Sequence, residues 1–125
     1  MKKFCDYRNP DLALLIIRVV VALIFISHGV SKLGNPQADM FFSSVGLPGW
    51  LALIVGIVET LAGIAVLLGV ATTSASYALA VIMLGAIFFV KLENGFGSME
   101  IDIALLSSAL AIAWIGPGKY SLSKK

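Results

Sequence analysis

Four long apolar stretches, separated by shorter segments that each contain glycine, constrain this chain more than any other feature. Hydrophobic residues make up 59% of its 125 residues, and charged residues only 13%. A soluble domain of this length has too high a surface-to-volume ratio to bury so much apolar surface. A bilayer core about 30 Å thick is crossed by about 20 helical residues. The sequence therefore predicts an integral membrane protein.

The stretches are continuously apolar rather than alternating, which favours helices over the strands of a barrel. We place the helices at about residues 11–31, 48–68, 73–92 and 101–115. Asn9 and Pro10 supply an N-cap and an early proline for the first helix. The fourth stretch is the shortest, and it becomes long enough if Glu100 and Asp102 lie among the lipid head groups. The expected fold is all-α, a four-transmembrane-helix bundle in a single domain of residues 1–125.

The distribution of lysine and arginine predicts the orientation of the bundle. An even number of spans places both termini on one side of the membrane and Lys32 and Lys91 on the other. The basic residues on the side of the termini are Lys2, Lys3, Arg8, Lys119, Lys124 and Lys125. Both termini are therefore expected to be cytoplasmic. The first stretch is expected to remain as a helix, because Arg18 interrupts it and no signal-peptide cleavage site follows.

Two charged residues lie deep within the predicted spans. A charge at a helix centre costs about 2.5–3.5 kcal/mol, so such residues usually face the bundle and pair with one another. The depths of Arg18 and Glu59 differ by only about 5 Å at 1.5 Å per residue. We predict that Arg18 and Glu59 form an ion pair, which either fixes the helix register or belongs to a working site.

A second polar group is predicted at the opposite end of the first helix. His28 lies four residues before Lys32 and therefore next to it. Glu93, Glu100 and Asp102 are expected to form an acidic rim around the same mouth. Snorkelling of Lys32 and of these acids to the head groups is the alternative interpretation. The spacing of one histidine and these carboxylates has no recognisable metal signature, so no metal site is predicted.

Small residues predict where helices approach closely. One stripe, Gly56, Thr60 and Gly63, lies beside Glu59 on the second helix. The fourth helix carries a comparable stripe, which consists of Ala104, Ser107, Ser108 and Ala111.

Two groups of apolar side chains have more than one interpretation. The connection of residues 33–47 carries Phe41 and Phe42, and it is either an amphipathic segment on the membrane surface or a lid. On the third helix, Met83, Phe88 and Phe89 either border a flat hydrophobic ligand or contact lipid and other helices.

An ordered series of motifs resembles the DoxX family over about residues 11–122. The series consists of Arg18, SHGVSKL at 27–33, GLP at 46–48, ETLAG at 59–63, LLG at 67–69 and GPGKYSL at 116–122. The resemblance implies a four-helix, multi-pass protein of the bacterial inner membrane. Some relatives form the membrane part of thiosulfate:quinone oxidoreductase, and others join redox complexes tied to thiol and oxidative-stress resistance. The family's recurrent polar positions correspond to Arg18, His28, Lys32 and Glu59, which are the ligand-binding candidates.

Three functions agree with these observations. The first is a membrane subunit of a redox system that binds quinone or a small sulfur-containing substrate. The chain has no haem, flavin or iron–sulfur motif, so its electrons would come from partner oxidoreductase subunits. The second is a non-enzymatic scaffold or assembly subunit, and the third is a small transporter that works as a homo-oligomer. Membrane lipid is an expected partner, and nucleic acid is not, because no basic stripe with interleaved aromatics is present.

Overall fold

The computed structural model describes residues 9–91 and 100–122, and every regular element in these ranges is helical. The elements in chain order are α1 Pro10–Lys32, α2 Pro36–Ser44, α3 Leu51–Leu68, α4 Thr72–Ala86 and α5 Glu100–Ile115. A π-helical turn, Ile87–Lys91, continues α4. The predicted all-α class is confirmed.

Within the described ranges, three helical segments are long and apolar enough to cross a bilayer. They are Pro10–Lys32, Leu51–Leu68 and Thr72–Phe89, the last of which enters the π-helical turn. Helix α5 has 16 residues, which makes it about 24 Å long at 1.5 Å per residue. The membrane character of the chain is therefore confirmed, with three helices of spanning length and a shorter fourth one beside them.

Two helices begin with the same pair of residues, asparagine followed by proline. The side chain of Asn9 accepts a hydrogen bond of 3.0 Å from the backbone N–H of Leu12 at the start of α1. Asn35 accepts one of 2.9 Å from Gln37 at the start of α2. Each asparagine satisfies a backbone donor that has no partner within its helix. The predicted cap of the first helix is confirmed, and the connection of residues 33–47 contains a helix of its own.

The helices pack in chain order. Helix α1 packs antiparallel on α3, α3 on α4 and α4 on α5, and a contact between α1 and α5 closes the bundle. We call the end where α1 begins and α3 ends the base; residues 116–122 also lie there. The opposite end, where α1 ends and α3 begins, is the mouth. The largest fully buried apolar side chains of the core are Phe25, Val66, Leu79 and Ile112.

Glycine allows α1 and α3 to approach closely. A Cβ atom added to Gly29 would lie 2.7 Å from the backbone N of Thr60 and 2.8 Å from the carbonyl oxygen of Gly56. A Cβ atom on Gly63 would lie 2.8 Å from Cγ1 of Ile26. The stripe predicted on the second helix is therefore confirmed as a site of close helix packing.

The stripe predicted on the fourth helix is not the packing face of α5. The side chains that α5 buries are Leu105, Ala109, Ile112 and Ala113. Ala104, Ser107 and Ala111 are exposed, and Ser108 is partly buried. This prediction is wrong because α5 has apolar residues on all of its faces, so that residue size alone does not determine which face meets the bundle.

We expect the substitution Gly29→Ala to destabilise the protein by about 1–3 kcal/mol, because the new methyl group meets backbone atoms that cannot move aside. The matched control is Gly85→Ala on α4, where an added Cβ meets no described atom within 4 Å. That control should gain up to about 1 kcal/mol from the higher helix propensity of alanine. Reversible unfolding in detergent micelles measures both changes. Equal stability of Gly29→Ala and the parent protein would contradict the close packing.

Candidate functional site

The deepest acidic side chain of the described bundle pairs with Lys32. The Nζ of Lys32 lies 2.8 Å from Oε1 of Glu59. Glu59 is only 1% exposed, whereas the side chain of Lys32 is 23% exposed. The Nζ of Lys32 also donates a hydrogen bond of 3.4 Å to the carbonyl oxygen of His28, and Oε2 of Glu59 accepts no hydrogen bond from the described residues. Glu59 is thus a buried carboxylate with unused acceptor capacity.

The direction in which helical side chains lean explains this pairing. Each side chain tilts towards the N-terminus of its own helix. Lys32 on α1 therefore leans towards the base, and Glu59 on the antiparallel α3 leans towards the mouth, so the two side chains converge. Arg18 also leans towards the base and diverges from Glu59. The predicted Arg18–Glu59 pair is wrong for this reason.

Arg18 instead bonds to backbone carbonyl groups at the base. Its Nε donates a hydrogen bond of 3.0 Å to Val66, and its Nη2 donates one of 3.0 Å to Leu67, both at the end of α3. Its Nη1 donates to Pro117 at 3.0 Å and to Tyr120 at 2.7 Å. The guanidinium group therefore joins the C-terminus of α3 to the segment that follows α5.

This arrangement suits the end of a helix. The last carbonyl groups of α3 have no partner within the helix, and the negative end of the helix dipole favours a cation there. Gly69 ends α3 with a φ of 76°, and a Cβ atom at this position would lie 2.7 Å from Nη2 of Arg18. The close fit leaves Arg18 1% exposed. Of the four ligand-binding candidates, Arg18 is the one that the structure places away from the others.

The other three candidates line one cavity of about 500 Å³ at the mouth. Its polar side chains are His28, Lys32, Glu59 and Asp102. Helices α3 and α4 supply much of the apolar lining, which includes Val55, Ile82 and Met83. His28 and Lys32 on α1 and Asp102 on α5 were all predicted at the mouth. The structure places them in the lining of the same cavity as the buried Glu59.

The remaining predicted rim residues do not share this position. Glu100 is exposed and does not line the cavity. Glu93 lies outside the described residues. His28 is exposed, and its carbonyl oxygen accepts a hydrogen bond of 2.7 Å from the hydroxyl of Ser31. In residues 9–91 and 100–122, no three His, Cys, Asp or Glu side chains are grouped so that they could hold a metal ion.

Helix α2 borders the cavity with two aromatic side chains. Phe41 and Phe42 line the cavity, although no residue of α2 is buried. Helix α2 therefore lies on the surface of the bundle and also borders the cavity, and the choice between a membrane-surface segment and a lid stays a prediction. A sequence signal for this helix exists, because Asn35 and Pro36 repeat the Asn-Pro start of α1.

The aromatic pair on the third helix borders two hollows. Met83 and Phe89 line the cavity, and both Phe88 and Phe89 line a neighbouring groove. The rings of Phe88 and Phe89 meet edge to face, with centroids 5.4 Å apart. Two of the three predicted side chains, Met83 and Phe89, therefore lie where a ligand in the cavity would contact them.

We expect Arg18→Lys and Arg18→Met to lose similar amounts of stability, about 2–4 kcal/mol, because neither side chain can reach all four carbonyl groups. Unfolding in detergent micelles measures the loss. If Arg18→Lys kept the stability of the parent protein, positive charge rather than the forked hydrogen bonds would be what the base requires.

The ion pair predicts a non-additive response to substitution. Lys32→Met leaves a buried carboxylate without its cation and should cost about 2–4 kcal/mol. The double variant Lys32→Met/Glu59→Gln removes both charges and should recover most of that loss. A double-mutant cycle of unfolding free energies measures the coupling. Additive losses would contradict a direct interaction between the two side chains.

Comparison with known proteins identifies the family. The DoxX family model matches residues 13–92, which contain all four ligand-binding candidates. No solved structure matches the chain.

Curated relatives match most of the chain. A Bacillus subtilis protein named "Putative oxidoreductase CatD" is 34% identical over 87% of this chain and 83% of its own length. The Mycobacterium tuberculosis membrane protein Rv3486 is 31% identical over 90% of this chain and 80% of its own length. The Escherichia coli inner membrane protein YqjF is 27% identical over 91% of this chain and 92% of its own length. The chain belongs to the DoxX family of membrane proteins.

Proposed function

We propose that the chain is a membrane subunit of a redox system and that its mouth cavity binds the head group of a quinone. The observation that carries the proposal is the cavity itself. It combines a mainly apolar lining with a buried ion pair, Lys32–Glu59, at one wall. Ligand sites in proteins typically combine apolar walls with a few polar groups that orient the ligand.

The polar groups suit the chemistry of a quinone. The ammonium group of Lys32 can donate a hydrogen bond to a quinone carbonyl oxygen. Reduction of a quinone to a quinol adds two electrons and two protons to the ring oxygens. The free acceptor capacity of Glu59 makes it a candidate to exchange one of these protons. His28 lies in the same lining and is exposed, so it provides a connection between the cavity and the surroundings.

The balance of charges favours a neutral ligand over a small sulfur-containing anion. The single cation that enters the cavity from α1, Lys32, already has Glu59 as its counter-ion. Asp102 adds a second acidic side chain to the lining. An anion would have to compete with these carboxylates, whereas a quinone head group carries no charge.

Electrons would come from a partner oxidoreductase subunit, because the sequence holds no motif for a redox cofactor. The name "Putative oxidoreductase CatD" of the Bacillus subtilis relative supports a role in redox chemistry.

We further propose that the chain crosses a bacterial inner membrane four times with both termini in the cytoplasm. Helix α5 runs from the mouth, where Asp102 lines the cavity, to the base, where Pro117 meets Arg18. It therefore extends between the same two ends as the longer helices. The excess of basic residues near the termini supports the orientation, and the inner-membrane name of YqjF supports the location.

Two substitutions of neighbouring valines on α3 test the binding site. Val55 lines the cavity, whereas Val58 is 37% exposed and does not. We expect Val55→Phe to weaken the binding of a short-chain ubiquinone analogue by about tenfold or more, because the ring fills the cavity. Val58→Phe should bind as the parent protein does. Isothermal titration of the purified chain in lipid nanodiscs measures both affinities.

Failure of the parent protein to bind any quinone analogue would overturn the proposal. Equal binding by the two valine variants would show that a quinone binds elsewhere on the protein. Unfolding curves of both variants separate a filled cavity from a misfolded chain.

A further inference from the structure

A second hollow lies directly beside the mouth cavity. It is an open apolar groove on the outside of α4 and its π-helical turn. Its lining consists of Val81, Leu84, Gly85, Ile87, Phe88 and Phe89. Most of these residues belong to the segment Thr72–Phe89, which is apolar enough to span a bilayer. The groove therefore faces the hydrocarbon of the membrane.

The cavity and the groove share one row of residues. Val81, Gly85 and Phe89 line both hollows. They are spaced four residues apart, so they form one ridge along the helix. The middle member of the ridge has no side chain. The wall between the cavity and the groove is therefore lowest at Gly85.

Packing against the described residues does not account for this glycine. Gly29, Gly56 and Gly63 lie within the described helices where a Cβ atom would collide with a neighbouring helix. At Gly85 an added Cβ meets no described atom within 4 Å. Glycine within a helix costs about 1 kcal/mol relative to alanine. Gly85 therefore lowers the stability of α4 and does not bring α4 closer to any described helix. This indicates that the open space at Gly85 itself has a use.

The helix is also irregular at this point. The regular hydrogen bonding of α4 ends at Ala86, and the π-helical turn Ile87–Lys91 follows. Single π-helical turns occur frequently at functional sites. Here the turn contains Phe88, which lines the groove, and Phe89, which lines both the groove and the cavity.

We infer that the groove binds the apolar tail of a membrane-soluble ligand whose head group occupies the mouth cavity, and that the ligand passes over Gly85. This inference rests on the proposed function and specifies its substrate class, a quinone with a long hydrocarbon tail. The head lies near Lys32 and Glu59, and the tail leaves the cavity over the glycine into the groove. Entry from the bilayer requires no opening of the bundle at the mouth.

The test compares two quinones that carry the same head group, one without a tail and one with a ten-carbon tail. The parent protein in nanodiscs is compared with Gly85→Leu and with Ala111→Leu. Ala111 is exposed on α5 and lines neither hollow, so it controls for an added leucine on the lipid-facing surface. Because tail length also changes partitioning into lipid, the measured quantity is the ratio of the two affinities within each protein.

We expect Gly85→Leu to lower the preference for the tailed quinone by about tenfold, which equals about 1.4 kcal/mol, because the leucine closes the wall over which the tail passes. Ala111→Leu should keep the preference of the parent protein. A photoreactive group at the end of the tail should label Leu84 or Phe88 in the parent protein. The same label remains a direct test if Gly85→Leu does not fold.

Three results would separate the inference from the proposed function. Binding of neither quinone by the parent protein overturns the proposed function. Tail-less binding with an unchanged preference in Gly85→Leu overturns the tail groove and leaves the head-group site intact. Labelling of residues away from the groove, or a phospholipid chain that stays in the groove when the tailed quinone binds, also overturns the tail groove.

Discussion

The antiparallel contact between α1 and α3 is the interaction on which the rest of the structure depends. Glycines at Gly29, Gly56 and Gly63 let the two helices approach until backbone meets backbone. In a membrane, such packing replaces the hydrophobic driving force that water provides for soluble proteins. The same contact fixes the register of the helices, and the register decides which polar groups meet. Lys32 reaches Glu59 near the mouth, and Arg18 reaches the end of α3 at the base.

A buried charged side chain lies near each end of this contact, and the two side chains have different partners. At the base, Arg18 donates to four backbone carbonyl groups, so that its hydrogen-bonding capacity is used by the fold. Near the mouth, one carboxylate oxygen of Glu59 has the Lys32 ammonium beside it, and the other accepts no hydrogen bond from the described residues. A fully bonded cation holds elements together, whereas a carboxylate with unused capacity beside a cavity is suited to a ligand or a proton. Arg18 therefore has a structural role, whereas Glu59 belongs to the candidate ligand site, because the fold leaves part of its hydrogen-bonding capacity unused.

The cavity and the groove place these polar groups within reach of the bilayer. The lining of the cavity comes from α1, α2, α3, α4 and the beginning of α5, so no single helix contains the site. Helix α4 contributes most directly to its connection with lipid, because Gly85 lowers the wall and Phe89 in the π-helical turn lines both hollows. A ligand with a polar head and an apolar tail fits both surfaces at once, which links the site of a redox subunit to a substrate dissolved in the membrane.

Much of this protein follows from its sequence alone. Long apolar runs predict membrane helices, Asn9 and Pro10 mark the start of the first helix, and Gly56 and Gly63 mark the close helix contact, because these signals are local. His28, Lys32 and Glu59 also stand out locally, because charged and polar side chains are costly in hydrocarbon. Which charges pair is not a local property. Depth alone suggests Arg18 for Glu59, but the opposite lean of side chains on antiparallel helices selects Lys32. Only the tertiary structure decides the packing face of α5, since a helix with apolar residues on every face carries no clear periodic signal. The cavity likewise requires the assembled bundle, because its walls come from residues that are distant in sequence and meet only when the helices pack.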